Sequence, residues 1–349
     1  MFKKIFSRFS KNIGIDLGTA NTLVYVMEKG IVINEPSVVA VNNKTDQIIA
    51  IGDEAKKMVG KTPPHIKATK PLIAGVISDF EVTEKMLKYF IEKVHRENLI
   101  FVPRPKVIIG IPLGVTEVEK KAVEDATINA GASEVFLVEQ PMAAAIGARM
   151  PVQDPSGNMV VDIGGGTVEI AVISLGGIVS WKSIKTAGNE LDKNIIQFAR
   201  DEFNLLIGDG SAEEAKKKIG TALIEENDEQ ETKIRGRDLI TGLPKEVSIT
   251  SRQIREAIGR SLKILIDNIK TTIEETPPEL VSDIYERGIT LTGGGALLNK
   301  IDTLIQQETQ IPAHITDDPL TSVVRGMGLI LEDFDKLKEV LIFPSEITS

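Results

Sequence analysis

Residues 13–22 read IGIDLGTANT, and residues 160–169 read VVDIGGGTVE. Each stretch is an apolar strand, an aspartate, one apolar residue, a glycine and then a cluster of small or hydroxyl residues. Asp16 and Asp162 hold the same place in the two copies. A glycine turn between two strands lets backbone N–H groups reach an anion, because no Cβ blocks the approach. Gly18, Thr19, Ala20 and Asn21 offer this in the first copy, and Gly164, Gly165, Gly166 and Thr167 in the second. An aspartate at the strand end just before each turn can hold Mg²⁺ through water. One Asp-x-Gly turn is usually an ordinary hairpin. Two copies in one chain point to a polyphosphate pinched from opposite sides.

A third glycine turn joins them. In residues 289–298, ITLTGGGALL, an apolar strand leads into Gly293, Gly294, Gly295 and Ala296, which are expected to open a helix. Flat backbone there would let an adenine or ribose lie close. Rival phosphate motifs fail. Val59-Gly60-Lys61-Thr62 resembles the tail of a P-loop, but Ala55 stands where its first glycine belongs. No G-x-G-x-x-G follows a strand, so the dinucleotide fingerprint is absent.

Around the turns, strands alternate with helices, which favours mixed α/β layers. Periodicity predicts helices over 82–98, 117–130, 189–203, 212–219, 251–273 and 321–331. Strands are expected at 31–41, 47–51, 106–111, 134–138, 177–185 and 288–292, with a solvated loop at 225–231. At 349 residues more than one domain is expected. A net charge of −9 argues against nucleic acid as a partner. There are no cysteines, and His65, His95 and His314 show no metal-ligand spacing. No stretch approaches the ~20 apolar residues of a membrane span, and the first residues lack the apolar run of a secretory signal.

These motifs resemble the superfamily of actin, sugar kinases and heat-shock chaperone ATPases, most closely the MreB family of bacterial actins. Gly14–Thr22 is similar to its first phosphate loop, Val160–Ser174 to the second and Ile289–Leu298 to its adenosine motif. VEQPMAAAIGA (138–148) and DDPLTSVVRGMG (317–328) resemble its two connecting helices, and NEPSVVAV (34–41) the stretch after its first hairpin. The likeness runs over essentially the whole chain. It implies an actin-like ATPase fold of class α/β: two duplicated RNase H-like domains, each with a smaller subdomain, and the nucleotide in the cleft between them. The first large subdomain is expected at 1–32, 66–147 and 317–349, with its small partner at 33–65. The second is expected at 148–183 and 246–316, with its small partner at 184–245.

The resemblance also implies roles. Thr19, Ala20, Asn21, Gly165, Gly166 and Thr167 would contact phosphate, and Asp16 and Asp162 would organise Mg²⁺. Glu139 would orient or deprotonate the attacking water, with Thr167 positioning it. Glu213 and Lys216 match a helix that lines the nucleoside; Glu214 and Ala215 depart from the family's basic and aliphatic residues there. The implied cofactors are ATP and Mg²⁺, and hydrolysis is expected to be slow. The implied partners are the chain itself in filaments, an anionic membrane surface and membrane proteins of cell-wall morphogenesis.

The N-terminus supports the membrane reading. Phe2, Ile5, Phe6 and Phe9 fall on one helical stripe, flanked by Lys3, Lys4, Arg8 and Lys11, with no acid before Asp16. Such a stripe suits an interfacial helix on anionic lipid. Ile100 and Phe101, in the apolar Leu99–Val102 run before Pro103, are a second candidate contact. The expectation is a cytoplasmic, peripheral membrane filament protein that guides wall synthesis and rod shape. A sugar or small-metabolite kinase, a chaperone-type ATPase and a plasmid-segregation actin are the alternatives on the same fold.

Overall fold

The structure is a computed structural model that describes residues 12–95, 104–224 and 230–343. Phe2, Ile5, Phe6, Phe9, Ile100 and Phe101 lie outside the described residues. The chain divides into two compact units: Met1–Pro155 with Ile173–Ile178 and Leu320–Ser349, and Ser156–Val172 with Val179–Pro319.

In the first unit β1 (Ile13–Leu17), β2 (Asn21–Val26) and β3 (Gly30–Pro36) form an antiparallel meander. β4 (Val39–Asn42), β5 (Gln47–Ile51), α1 (Asp53–Met58) and β6 (Ile66–Thr69) follow, and the three strands make a small sheet in the order β5-β4-β6. The expected single strand over 31–41 is thus two, separated at Ser37 and Val38. β7 (Leu72–Ile73) and β8 (Val76–Ile77) close on Ala74 and Gly75, both at positive φ, the geometry of a tight hairpin turn. α2 (Phe80–His95), β9 (Lys106–Ile111), α3 (Glu117–Asn129), β10 (Glu134–Glu139) and α4 (Gln140–Gly147) complete this stretch. α3 starts on a reciprocal cap, with the Thr116 hydroxyl on the Glu119 N–H and the Glu119 carboxylate on the Thr116 N–H. β9 runs parallel to β1 and to β10, giving the sheet order β10-β9-β1-β2-β3. Every β9 residue after Lys106 is buried, as expected of a strand covered on both faces.

The second unit repeats the plan. β11 (Asn158–Ile163), β12 (Val168–Ser174) and β13 (Gly177–Ile184) are the hairpin-connected strands, the tip Ile173–Ile178 being grouped with the first unit. α5 (Gly188–Phe203), β14 (Leu205–Leu206), α6 (Asp209–Ile219), β15 (Glu231–Asp238) and β16 (Pro244–Thr250) form the inserted part, with the small sheet β14-β15-β16. The 24-residue α7 (Ser251–Glu274) then leads to α8 (Pro278–Arg287), β17 (Ile289–Thr292), α9 (Ile301–Thr309) and β18 (Ala313–Ile315). Its sheet order is β13-β12-β11-β17-β18. This is the first order read from the other end: a three-strand meander with two later strands added beside the first. The duplicated motif therefore sits in duplicated sheets, at the loop between the first two strands of each.

The chain returns to the first unit as α10 (Ser322–Glu332) and α11 (Phe334–Leu337). α10 packs on α4 at backbone contact. A Cβ on Gly147 would overlap the Ser322 carbonyl, and one on Gly326 would overlap the Ala143 carbonyl. Gly14 and Gly110 make room for Met327 on the adjoining sheet face; a Cβ on either would lie 2.7 or 2.6 Å from its side chain. Beyond α11, Ile342 exchanges two backbone hydrogen bonds with Leu137, adding a bridge to the outer strand β10.

Candidate nucleotide site: two backed glycine turns

In the first unit Asp16 pairs with Leu23 across the β1–β2 ladder, and residues 18–20 make the turn. Ser37 bonds two carbonyls of that turn: its hydroxyl donates to Gly18 O at 2.5 Å and its N–H to Ala20 O at 3.0 Å. The Ser37 hydroxyl also lies 2.8 Å from that of Thr22. Carbonyls held from one side leave the N–H groups as the turn's polar face for an anion. Gly18 is required by closeness, because a Cβ would lie 2.6 Å from Asn21 O. Thr19 is buried, and its hydroxyl accepts the Gly75 N–H at 2.8 Å, tying the β7–β8 hairpin to the turn. Ala20 is exposed and Asn21 partly so.

Glu139 ends β10 and stands at the N-cap of α4, yet its side chain makes no capping bond. Burial pushes its carboxyl above the usual carboxylate range, with Lys120 opposing. Its neighbour Gln140, buried, reaches Asp16 with an Nε2···Oδ1 distance of 3.4 Å, a weak bond. Burial raises the Asp16 carboxyl from 3.8 to about 7 despite that donor. Gln140 is a candidate site residue that the sequence reading passes over. Its signal is its place in the VEQP segment, between Glu139 and Pro141.

The Asp16 shift carries a sign. Between the two values the folded chain holds a proton that the unfolded chain has released. Stability without divalent cation therefore falls as pH rises from about 4 through about 7, by at most ~4 kcal/mol from this group. Asp16→Asn is expected to flatten that slope in thermal unfolding between pH 5 and pH 8 in a chelator. An unchanged slope would place the titration elsewhere.

In the second unit Asp162, buried at the end of β11, pairs with Thr292 of β17. The Gly164 N–H closes the turn on Thr167 O at 2.9 Å. The backing repeats with different parts: the N–H groups of Gly188 and Asn189, at the start of α5, bond Gly164 O at 3.1 Å and Gly165 O at 2.8 Å. Gly164, Gly165 and Gly166 stay partly exposed and Thr167 is buried.

The third turn lies directly on the second. Gly293, at φ 79°, is a position where a Cβ would overlap the Asp162 carboxylate; one on Gly295 would overlap the Ile163 side chain. This close approach is why the motif needs glycine. The expected helix is a single 3₁₀ turn, Gly294–Leu297, with Ala296 buried inside it, and α9 begins only at Ile301. On α6, Glu213 accepts a 2.5 Å bond from Lys217 one turn on, and Lys216 is engaged with Asp192 and Gly188 of α5.

Duplicated sheets, each carrying a backed Asp-glycine turn, define an actin-like α/β fold. Solved structures agree. The chain matches MreB5 of Spiroplasma citri bound to ADP at a TM-score of 0.89 and 40% identity, over 95% of this chain and 98% of that one. The same protein bound to AMPPNP matches equally. The MamK double helical filament matches in fold alone, at a TM-score of 0.76, 18% identity and coverage of 92% and 98%.

The family model for MreB/Mbl protein covers residues 10–339, and the chain belongs to the MreB/Mbl family. Its relatives include the cell shape-determining protein MreB of Pasteurella multocida, 49% identical over 340 residues, 96% of this chain and 97% of that protein. The cell shape-determining protein Mbl of Bacillus subtilis is 47% identical over 329 residues, 94% and 98% of the two chains.

Proposed function

We propose that this chain is an ATP-dependent cytoskeletal protein that forms filaments on the inner face of the plasma membrane, organises cell-wall synthesis and so maintains rod shape. The observation that carries the nucleotide part is the pair of turns at equivalent places in duplicated sheets. Each has its carbonyls bonded from behind, and each follows an aspartate. The cell-shape part is supported by family membership and by the names of relatives that match nearly end to end. Those names do not favour the kinase alternative.

The phosphates would take the N–H groups of Gly18, Thr19, Ala20 and Asn21 and of Gly165, Gly166 and Thr167. Among the described residues no cluster of three or more histidine, cysteine or acidic side chains could cage a metal. That suits Mg²⁺, which takes one or two carboxylates and completes its shell with water and phosphate oxygens. Asp16 fits such a role, since a cation relieves the burial that holds its carboxyl near 7. When bound, Mg²⁺ supplies charge neutralisation. Glu139, its carboxylate free of capping and its pKa raised by burial, would hold and orient the attacking water. The third turn receives the nucleoside against Asp162 and Ile163. The small sheets β5-β4-β6 and β14-β15-β16 support a small subdomain in each unit, but β6 (Ile66–Thr69) and most of β16 (Pro244–Thr250) run past the expected bounds of 33–65 and 184–245.

No helix among the described residues is long and apolar enough to cross a membrane. Attachment is assigned to the apolar-cationic stripe of Met1–Lys11, with Ile100 and Phe101 as a second contact. One short helix binds lipid weakly, so a polymer that presents many copies makes attachment stable. With Mg-ATP and anionic vesicles, the full chain is expected to co-sediment as membrane-bound filaments visible by electron microscopy. Deleting Met1–Phe9 is expected to leave filaments and remove most vesicle binding; unchanged binding would refute the anchor. Efficient phosphorylation of a sugar would refute the filament reading.

A further inference from the structure

The ammonium of Lys216 is held inside its own unit. Nζ lies 2.8 Å from Asp192 Oδ1 and donates a 2.8 Å hydrogen bond to Gly188 O. The two side chains are only 14% and 13% exposed, so water and salt screen the pair little. Gly188 O belongs to the peptide whose N–H, that of Asn189, bonds Gly165 O at 2.8 Å. That one peptide group therefore accepts from Lys216 and donates to the second phosphate turn, an arrangement in which each bond polarises the other. The preceding peptide adds the Gly188 N–H on Gly164 O at 3.1 Å. The three groups converge on one spot: a Cβ on Gly188 would make ordinary van der Waals contact with Gly164 O at 3.4 Å, Gly165 Cα at 3.5 Å and Lys216 Nζ at 3.7 Å.

We propose that Asp192 is a positioning residue for the second phosphate turn. Its carboxylate holds the Lys216 ammonium on Gly188 O, and this fixes the start of α5 against the carbonyls of Gly164 and Gly165. With those carbonyls bound from behind, the turn's N–H groups stay directed to phosphate. Lysine is a flexible point charge with three rotatable donors, so it needs a fixed carboxylate to stay in one place. Removing Asp192 leaves a nearly buried cation without its countercharge, and the Gly188 peptide loses its clamp. Asp192 acts through Lys216 and the Gly188 peptide. The proposal rests on the reading of residues 164–167 as a phosphate turn.

The test is calorimetric titration of full-length wild type, Asp192→Asn, Lys216→Met and the double variant with Mg-ATP, Mg-ADP and adenosine. Each single variant is expected to weaken ATP and ADP about tenfold and leave adenosine within about twofold. The double variant is expected to be no worse than either single one, since the two act as a unit. A merely structural role would not separate the phosphorylated ligands from adenosine. Additive losses, or adenosine weakened as much as ATP, overturn the proposal in favour of direct nucleoside contact by Lys216. Unchanged ATP affinity in Asp192→Asn overturns it alone. A wild-type chain that binds none of the three overturns the phosphate reading of the turn, and the proposal with it. If Asp192→Asn does not unfold cooperatively, Asp192→Glu replaces it, the charge kept but displaced by one methylene. Weakened ATP with unchanged adenosine then supports the proposal, and unchanged ATP overturns it.

Discussion

Gly326→Val is expected to lower the stability of the first unit by ~3 kcal/mol or more, with a fall in unfolding temperature above ~5 °C and loss of soluble protein. The effect is large because the obstacle is backbone. A Cβ on Gly326 would overlap the carbonyl of Ala143 and lie 3.0 Å from Gly147 N, while Gly147 in turn faces the Ser322 carbonyl. No rotamer change relieves a clash with another helix's main chain, so α4 and α10 must separate. All eight residues of α4 are buried, and Glu139 is its N-cap, so separation also moves a site residue. Gly210→Ala is the control. Gly210 lies on α6 with nothing within 4 Å of the added Cβ, and alanine there should stabilise by up to ~1 kcal/mol. If Gly326→Val unfolds like wild type, the close crossing of α4 and α10 is wrong.

Glu139→Ala is expected to reduce phosphate release ~100-fold or more while ATP affinity changes by less than about threefold. The carboxylate makes no capping bond to α4, and burial raises its pKa above the usual carboxylate value. Its removal takes away water orientation and leaves the backbone groups of both turns in place. Filaments of this variant are expected to form with ATP and to disassemble slowly. Release at the wild-type rate in a phosphate assay would remove Glu139 from the chemistry.

The parts of this fold that were legible in the sequence are those with strong local signals. The duplicated Asp-glycine motif marks the loop between the first two strands of each main sheet. The amphipathic pattern of 251–273 falls within one residue of α7, whose start is secured by the cap of Thr250 and Gln253. Elsewhere the signal was long-range. The helix expected after Gly293 is a 3₁₀ turn because the segment must lie flat on Asp162 and Ile163, partners more than a hundred residues away. β15 and β16 hide in the charged segments ETKIRGRD and PKEVSIT, where Ile234 and Ile249 are the only buried apolar residues and alternation is masked by lysine, arginine and glutamate. At the site, the aspartates and glycines could be read directly. The backing of each turn could not: it comes from Ser37 in one unit and from Gly188 and Asn189 in the other, residues with no shared motif. Lys216 shows the same limit. Its family likeness pointed to a nucleoside, whereas its partner Asp192 becomes visible only when α5 and α6 pack together.

We propose that the two turns, one per unit, serve one nucleotide. Calorimetric titration of Mg-ATP into the Glu139→Ala chain, where hydrolysis does not confuse the count, tests it most directly. One nucleotide per chain is expected, with binding lost when either Gly18 or Gly166 alone is replaced by valine. Two nucleotides per chain, or full binding after one turn has been disabled, would contradict it.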